Sequence, residues 1–336
     1  MRLFLTRVDS AGMDIVVFGA GSLGSLFGGL LAREHDVTLV GRDEHVEAIE
    51  TSGLRVTAAF EEPPADDLAD AFDFTVTPDA TTDGRNLSAD LALVTVKAFD
   101  TETAAADLAT GSFDVVCSLQ NGMGNEAILA DHLDCPVLAG TTTYGAIQGA
   151  PGSVECTGLG EVVLGPRQGG TSPEADRVGE AFRTAGFNVE VARDMPGRLW
   201  KKLAVNAGIN AVTALARIPN GGALDGPANE LARDAARETA RVARAHDVTL
   251  SDREAVAAVE SVADATAANT SSMQQDVLDG GRTEVDAING YVAEQAVDLR
   301  EGRATTEADA YEITTPVNRT MASLLRAWER GRDLRP

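Results

Sequence analysis

Lysine is almost missing from this chain. Of its 28 basic residues only three are lysines, Lys97, Lys201 and Lys202, against 52 Asp and Glu in 336 residues. The formal net charge of −24 repels phosphate backbones and anionic lipid headgroups, which excludes nucleic acid and membrane surfaces as partners. It also excludes a whole-surface funnel for an anionic substrate, so any anion site is local. An acid-rich surface that keeps arginine and drops lysine fits a salt-rich, halophilic cytosol, where a Debye length of about 3 Å at 1 M screens self-repulsion. An ordinary acidic protein is the alternative. Each surviving lysine then asks for its own explanation.

Cysteine is also scarce. Cys117, Cys135 and Cys156 are odd in number and lack metal-type spacing, so neither a disulfide framework nor a zinc site is expected. The compartment is read as reducing and cytoplasmic. No apolar run approaches the ~20 residues of a membrane span. Residues 1–12 have too short an apolar stretch for a signal peptide and are read as a flexible extension or a misplaced start, outside the fold. Repeats and low-complexity runs are missing. With 44% hydrophobic residues the chain can bury a sizeable core, and its length suits two domains.

From Asp14 the pattern alternates. Asp14–Phe18 is a short apolar run, followed by a glycine turn and an apolar helix to Ala32. His35–Val40 is a second strand, ending at Gly41-Arg42, and Asp43 is placed to cap a helix that stops at Gly53. Leu91–Val96, Val115–Leu119 and Val137–Ala139 are further apolar runs of the buried parallel type. Val154–Gly165 reads as antiparallel strands added at the sheet edge. A turn-rich stretch, Ala192–Gly197, marks the boundary, and beyond it the pattern is helical. The expected fold class is α/β: a Rossmann-type doubly wound sheet over 13–193, then an all-helical domain over 194–332, with a cleft between them.

Gly19-x-Gly21-x-x-Gly24 follows a strand and opens a helix, the context in which such glycines allow a tight turn and close approach of a dinucleotide pyrophosphate. Gly28 lets that helix sit close to the sheet. At the end of the second strand stands Arg42 rather than an acidic residue, which favours the 2′-phosphate of NADP. Lys97 and Asn121 each follow a buried strand on the edge that lines the ligand crevice; a solvated strand end and a plain turn residue are the alternatives. In Leu199–Thr213 the polar residues Lys202, Asn206, Asn210 and Thr213 fall within an arc of about 80° at helical spacing. A solvated face in this protein would carry Asp or Glu, so a neutral amide stripe headed by a lysine reads as a site wall. Inter-helix hydrogen bonding is the alternative.

These segments, with Val96-Lys97-Ala98, Gln120-Asn121-Gly122-Met123-Gly124, Leu199–Asn210, Pro219-Asn220-Gly221, Ser271-Ser272-Met273 and Arg282–Gly290, resemble the ketopantoate reductases, in family order from about residue 14 to 330. The resemblance implies NADPH-dependent reduction of 2-dehydropantoate to (R)-pantoate for pantothenate and coenzyme A synthesis. It implies Lys202 and Glu284 as catalytic residues. Asn121, Asn206, Asn210, Asn220 and Ser272 would bind the 2-oxo acid. Gly19, Gly21, Ser22, Leu23, Gly24, Arg42, Lys97 and Asn121 would bind the cofactor, with Asn121 orienting nicotinamide and substrate alike. Asp100 departs from the Gln that some members carry near the cofactor, and the Gly280-Gly281 turn could shift Glu284. No metal is expected; the oligomeric state is not readable from the sequence, although the long helical C-terminal domain leaves room for a homodimer. The alternatives are a paralogue acting on another 2-oxo acid or a 3-hydroxy acid, and a non-catalytic NADP-binding sensor.

Overall fold

A computed structural model describes residues 12–59, 72–296 and 313–335; the expected extension over residues 1–12 lies, apart from Gly12, outside them. The described chain divides into two compact units. The first holds the chain up to Val96, then Asp100–Gln120 and Glu126–Arg193. The second holds Lys97–Phe99, Asn121–Asn125 and everything from Asp194. Two short segments that follow strands of the first unit thus group with the second.

The strands are β1 (Asp14–Phe18), β2 (Asp36–Val40), β3 (Leu54–Ala58), β4 (Phe74–Val76), β5 (Asp79–Thr81) and β6 (Ser88–Val94). They continue with β7 (Ser112–Ser118), β8 (Val137–Thr142), β9 (Gly145–Gln148), β10 (Ser153–Gly158), β11 (Val162–Pro166) and β12 (Val189–Val191). Eight form one sheet in the order β12-β11-β8-β7-β6-β1-β2-β5, and every neighbouring pair is parallel except β11 with β8. The central strands are buried on both faces, as their unbroken apolar runs require. Chain order reverses between β2 and β6 on either side of β1, which makes the C-terminal end of β1 a topological switch point.

The other four strands make a second sheet, β4-β3-β10-β9, in which β3 and β10 run parallel. This corrects the single edge addition expected over 154–165. β11 does join the large sheet, but β10 pairs with β3, almost a hundred residues away in sequence. Helix α1 (Ser22–Leu31) lies between the two sheets. A Cβ on Gly28 would come within 2.3 Å of Leu39, and one on Gly29 within 2.6 Å of Val56. Two adjacent glycines thus let one helix touch a sheet on each side. Helix α2 (Asp43–Ser52) ends as expected at Gly53, whose φ is +81°. Its N-cap, however, is Arg42. Asp43 and Glu44 occupy the first turn, where they complement the helix dipole without a side-chain cap bond. Helices α3 (Thr101–Leu108), α4 (Asn125–His132) and α5 (Pro173–Thr184) complete this part of the chain.

The second unit is helical, and its described residues contain no strand. Its axis is α6 (Met195–Ala216), which starts four residues before the stretch read as helix and carries Pro196 in its first turn. Helices α7 (Gly226–Ala245) and α8 (Asp252–Ala265) pack on it. Their close approach depends on Gly208, where a Cβ would stand 2.9 Å from the Ala232 carbonyl and 3.0 Å from Val259. Then come α9 (Ser272–Leu278), a single π turn over Asp286–Gly290, and α10 (Pro316–Arg330). The start of α10 is held by the buried Glu238, whose carboxylate accepts from the Val317 and Asn318 backbone amides and from Asn318 Nδ2. Among the described residues, no helix is long and apolar enough to cross a membrane.

Candidate functional site

In the first unit the glycine turn occupies the switch point. Gly19 has φ +113°, and a Cβ there would strike the Val96 amide at 2.6 Å. A Cβ on Gly24 would lie 2.1 Å from the Gly19 carbonyl oxygen. Both glycines are therefore demanded by the protein itself. Gly21 is not. Its φ is an ordinary −86°, and a Cβ there would meet no protein atom within 4 Å. It caps a helix whose first turn has no acidic residue and whose N-cap supplies no side-chain bond. Free backbone amides at a helix start, with open space before them, suit the pyrophosphate of a dinucleotide. Ser22 Oγ accepts from the Gln148 amide, which fixes this loop, while Leu23 packs against the core. Arg42 is exposed at the end of β2, and no ion pair joins it to Asp43 among the described residues.

The second unit collects most of the remaining predicted residues. On α6, Lys202 and Asn206 are half-buried, while Asn210 and Thr213 are buried. Lys201, beside them in sequence, is exposed and its charge reaches Glu254 at the start of α8, a surface role. No described residue hydrogen-bonds the side-chain amides of Asn206 or Asn210. Neither amide is among the buried polar atoms left without a partner, so the fold does not use these two groups and does not seal them from solvent. Thr213 is used by the fold: its hydroxyl shares a hydrogen bond of 2.7 Å with Ser271. Ser271 is the N-cap of α9 and accepts from the Gln274 amide. Ser272, the expected substrate contact, is the exposed first residue of that helix. Asn220 is buried, donates to Thr266 Oγ1, and leaves its own Oδ1 without a partner.

Lys97 has a setting that its sequence position did not disclose. Its ammonium donates to both carboxylate oxygens of Asp276, at 2.8 and 3.0 Å, and lies 3.8 Å from Glu284. Glu284 is buried and also accepts from the Ala98 amide at 3.0 Å. Burial alone would lower the Lys97 pKa, but Glu284 and Asp276 outweigh it and raise it. Burial pushes Asp276 up to about 6, against the pull of Lys97, and the Glu284 charge adds to the rise. The Gly280-Gly281 turn closes α9, with Gly280 at φ +70° and the Gly281 amide donating to Asp276 O.

Glu284 leads directly into the π turn, a feature frequent at functional sites. Asn289 in that turn donates to the Ala207 carbonyl of α6, between Asn206 and Asn210. The loop carrying Asn121 reaches the same turn. The Met123 amide donates to Ala287 O, and Gly122, at φ +83°, is where a Cβ would collide with Ala287 at 2.5 Å. Lys97, Asn121, Glu284 and the amide stripe thus share one framework. Asp276 is the member that sequence reasoning missed; among 52 acidic residues nothing marked it.

The family model described as Ketopantoate reductase PanE/ApbA matches residues 15–169, and its C-terminal counterpart matches residues 194–329. A 2-dehydropantoate 2-reductase of Halobacterium salinarum is 39% identical over 324 residues, which cover 95% of this chain and 99% of that one. Among solved structures, a PanE/ApbA family ketopantoate reductase from Ralstonia eutropha JMP134 superposes with a TM-score of 0.81 at 32% identity, covering 96% of this chain and 100% of its own. A D-mandelate dehydrogenase in complex with NADH and anilino(oxo)acetate shares the fold, with a TM-score of 0.81 at 23% identity and coverage of 96% and 100%. The chain belongs to the PanE/ApbA family of ketopantoate reductases.

Proposed function

We propose that this protein reduces 2-dehydropantoate to (R)-pantoate with NADPH, a step of pantothenate and coenzyme A synthesis. The observation that carries the reading is the α6 stripe: a half-buried lysine followed, one and two turns on, by amides that the fold leaves unused. When bound, NADPH supplies the hydride that turns the keto carbon into an alcohol carbon. As charge builds on the carbonyl oxygen, the Lys202 ammonium stabilises it and donates the proton, then regains one from water. Asn206 and Asn210 hold substrate and lysine in register without adding charge. Asn220 and Ser272 contact the remainder of the acid. Glu284, kept in place by Ala98 and Lys97, accepts from the substrate, and Asn121 orients nicotinamide and substrate.

The backbone of Gly19, Gly21 and Gly24, with Ser22 and Leu23, cradles the pyrophosphate, and Arg42 grips the 2′-phosphate with two parallel hydrogen bonds. Lys97, its side chain 40% exposed, serves the cofactor edge while its two carboxylates hold it. The reading places the enzyme in a reducing cytoplasm. Burial pushes the Cys117 thiol to about 12 and that of Cys156 to about 11, which suppresses their thiolates. Exposed Leu231 and Val262 of the helical unit support a homodimer.

The test is NADPH oxidation by the purified protein in molar KCl, with ketopantoate beside other 2-oxo acids. Preference for ketopantoate is expected. Faster turnover of another keto acid would move the substrate assignment, and no turnover of any would favour a sensor. Replacing Arg42 by Ala is expected to weaken NADPH far more than NADH in binding titrations, whereas equal losses would remove its phosphate role.

A further inference from the structure

Glu284 sits in a short turn without regular hydrogen bonding of its own, yet a site carboxylate must be held to a fraction of an ångström to be of use. The stretch that supports this turn lies at and beyond the end of α10. Glu329, in the last turn of α10, is completely buried. One of its oxygens, Oε1, accepts from both the backbone amide and the hydroxyl of Thr283, at 2.8 and 2.5 Å. Thr283 is the residue immediately before Glu284. The other oxygen accepts from Arg335 Nε at 2.7 Å.

Arg335 returns to this position because the chain reverses after α10. The Arg332 and Leu334 amides both donate to the Glu329 carbonyl, and Asp333 takes a left-handed φ of +56°. The same guanidinium then reaches Asp286, two residues after Glu284, through its Nη2. Arg326, one turn before Glu329 on α10, donates to the other Asp286 oxygen at 2.7 Å, and it packs so closely over Gly290 that a Cβ there would stand 2.6 Å from it. Burial works against the Asp286 charge, but the bonds from Arg326 and Arg335 prevail and hold its pKa below the ordinary carboxylate value.

We propose that Glu329 and Arg335 are positioning residues that latch both shoulders of the Glu284 turn. The inference rests on the role given to Glu284 above. Neither group is placed against the substrate. Each acts through the turn, so its removal costs turnover only while Glu284 is present.

The experiment compares wild type with Arg335→Ala, Arg335→Lys and Glu329→Gln, each in the full chain and in molar KCl. Two readouts are taken: kcat and KM for ketopantoate, and amide hydrogen exchange over 283–286 without substrate. Arg335→Ala is expected to lower kcat/KM on the order of ten- to a hundredfold and to accelerate exchange at the Thr283 amide. Arg335→Lys recovers part of both. In a Glu284→Gln background the further loss from Arg335→Ala is expected to fall below about twofold, because the two substitutions share one route. Kinetics unchanged by Arg335→Ala, or an equal loss in the Glu284→Gln background, would overturn the proposal. So would unchanged exchange at Thr283. Glu329→Gln keeps the side-chain shape and decides the same question if Arg335→Ala does not fold. If wild type reduces no ketopantoate the functional reading fails, and the exchange data still decide the latch.

Discussion

Gly21 separates what the fold needs from what a ligand needs. Gly19 and Gly24 are fixed by a positive φ and by collisions with backbone, so their replacement disturbs the sheet and α1. Gly21 faces open space in an ordinary conformation. Gly21→Ala is therefore expected to weaken NADPH by about tenfold or more, the equivalent of ~1.4 kcal/mol, and to shift Tm by no more than a few degrees. Fluorescence titration beside thermal melting checks this; an unchanged affinity would mean that no ligand approaches the turn there. Legibility at this scale follows chemistry more than geometry. The lysine and amides of α6 stand out because in a chain with 52 acidic residues a polar stripe without Asp or Glu is unexpected. The partner of Lys97 does not, since Asp276 lies 179 residues away and is one carboxylate among many. Ser271 and Ser272 are adjacent and chemically identical. Only the helix start shows that the first is spent as a cap and the second is exposed.

The elements show the same division. Buried parallel strands and the long polar-striped helix are legible in the sequence, because their apolar periods are set by burial on both faces or on all sides but one. The four-stranded sheet is not. Its strands are three to six residues long, and β3 meets β10 through a pairing that no local pattern encodes. At α9 the packing has a measurable electrostatic consequence. Asp276, raised to about 6 by burial, binds its proton in the folded state across a range where the unfolded chain, near 3.8, has lost it. Its contribution to stability is thus complete below pH 3.8 and is lost as pH rises through about 6. Urea unfolding of wild type against Asp276→Asn between pH 4 and 7 is expected to show this segment of pH dependence in wild type alone. Parallel profiles would contradict the assignment.

Across the whole molecule, 52 acidic residues face 28 basic ones, of which only three are lysines, for a formal charge of −24. The acids cover a surface whose mutual repulsion needs salt to be screened, and Tm is expected to rise by several degrees between dilute buffer and molar KCl. A Tm independent of KCl would remove the halophilic reading. Positive charge is widely spread: Arg55, Arg85, Arg177 and Arg237 pair with carboxylates at the surface, while Lys97 lies between Asp276 and Glu284, and Arg326 and Arg335 stand behind the Glu284 turn. The decisive measurement is turnover of ketopantoate by Lys202→Ala beside its affinity for NADPH. With Lys202 as the proton donor, kcat falls by about a hundredfold or more, the range of a lost general acid, while NADPH binds as in wild type. A variant that keeps kcat within a few-fold of wild type would contradict that role.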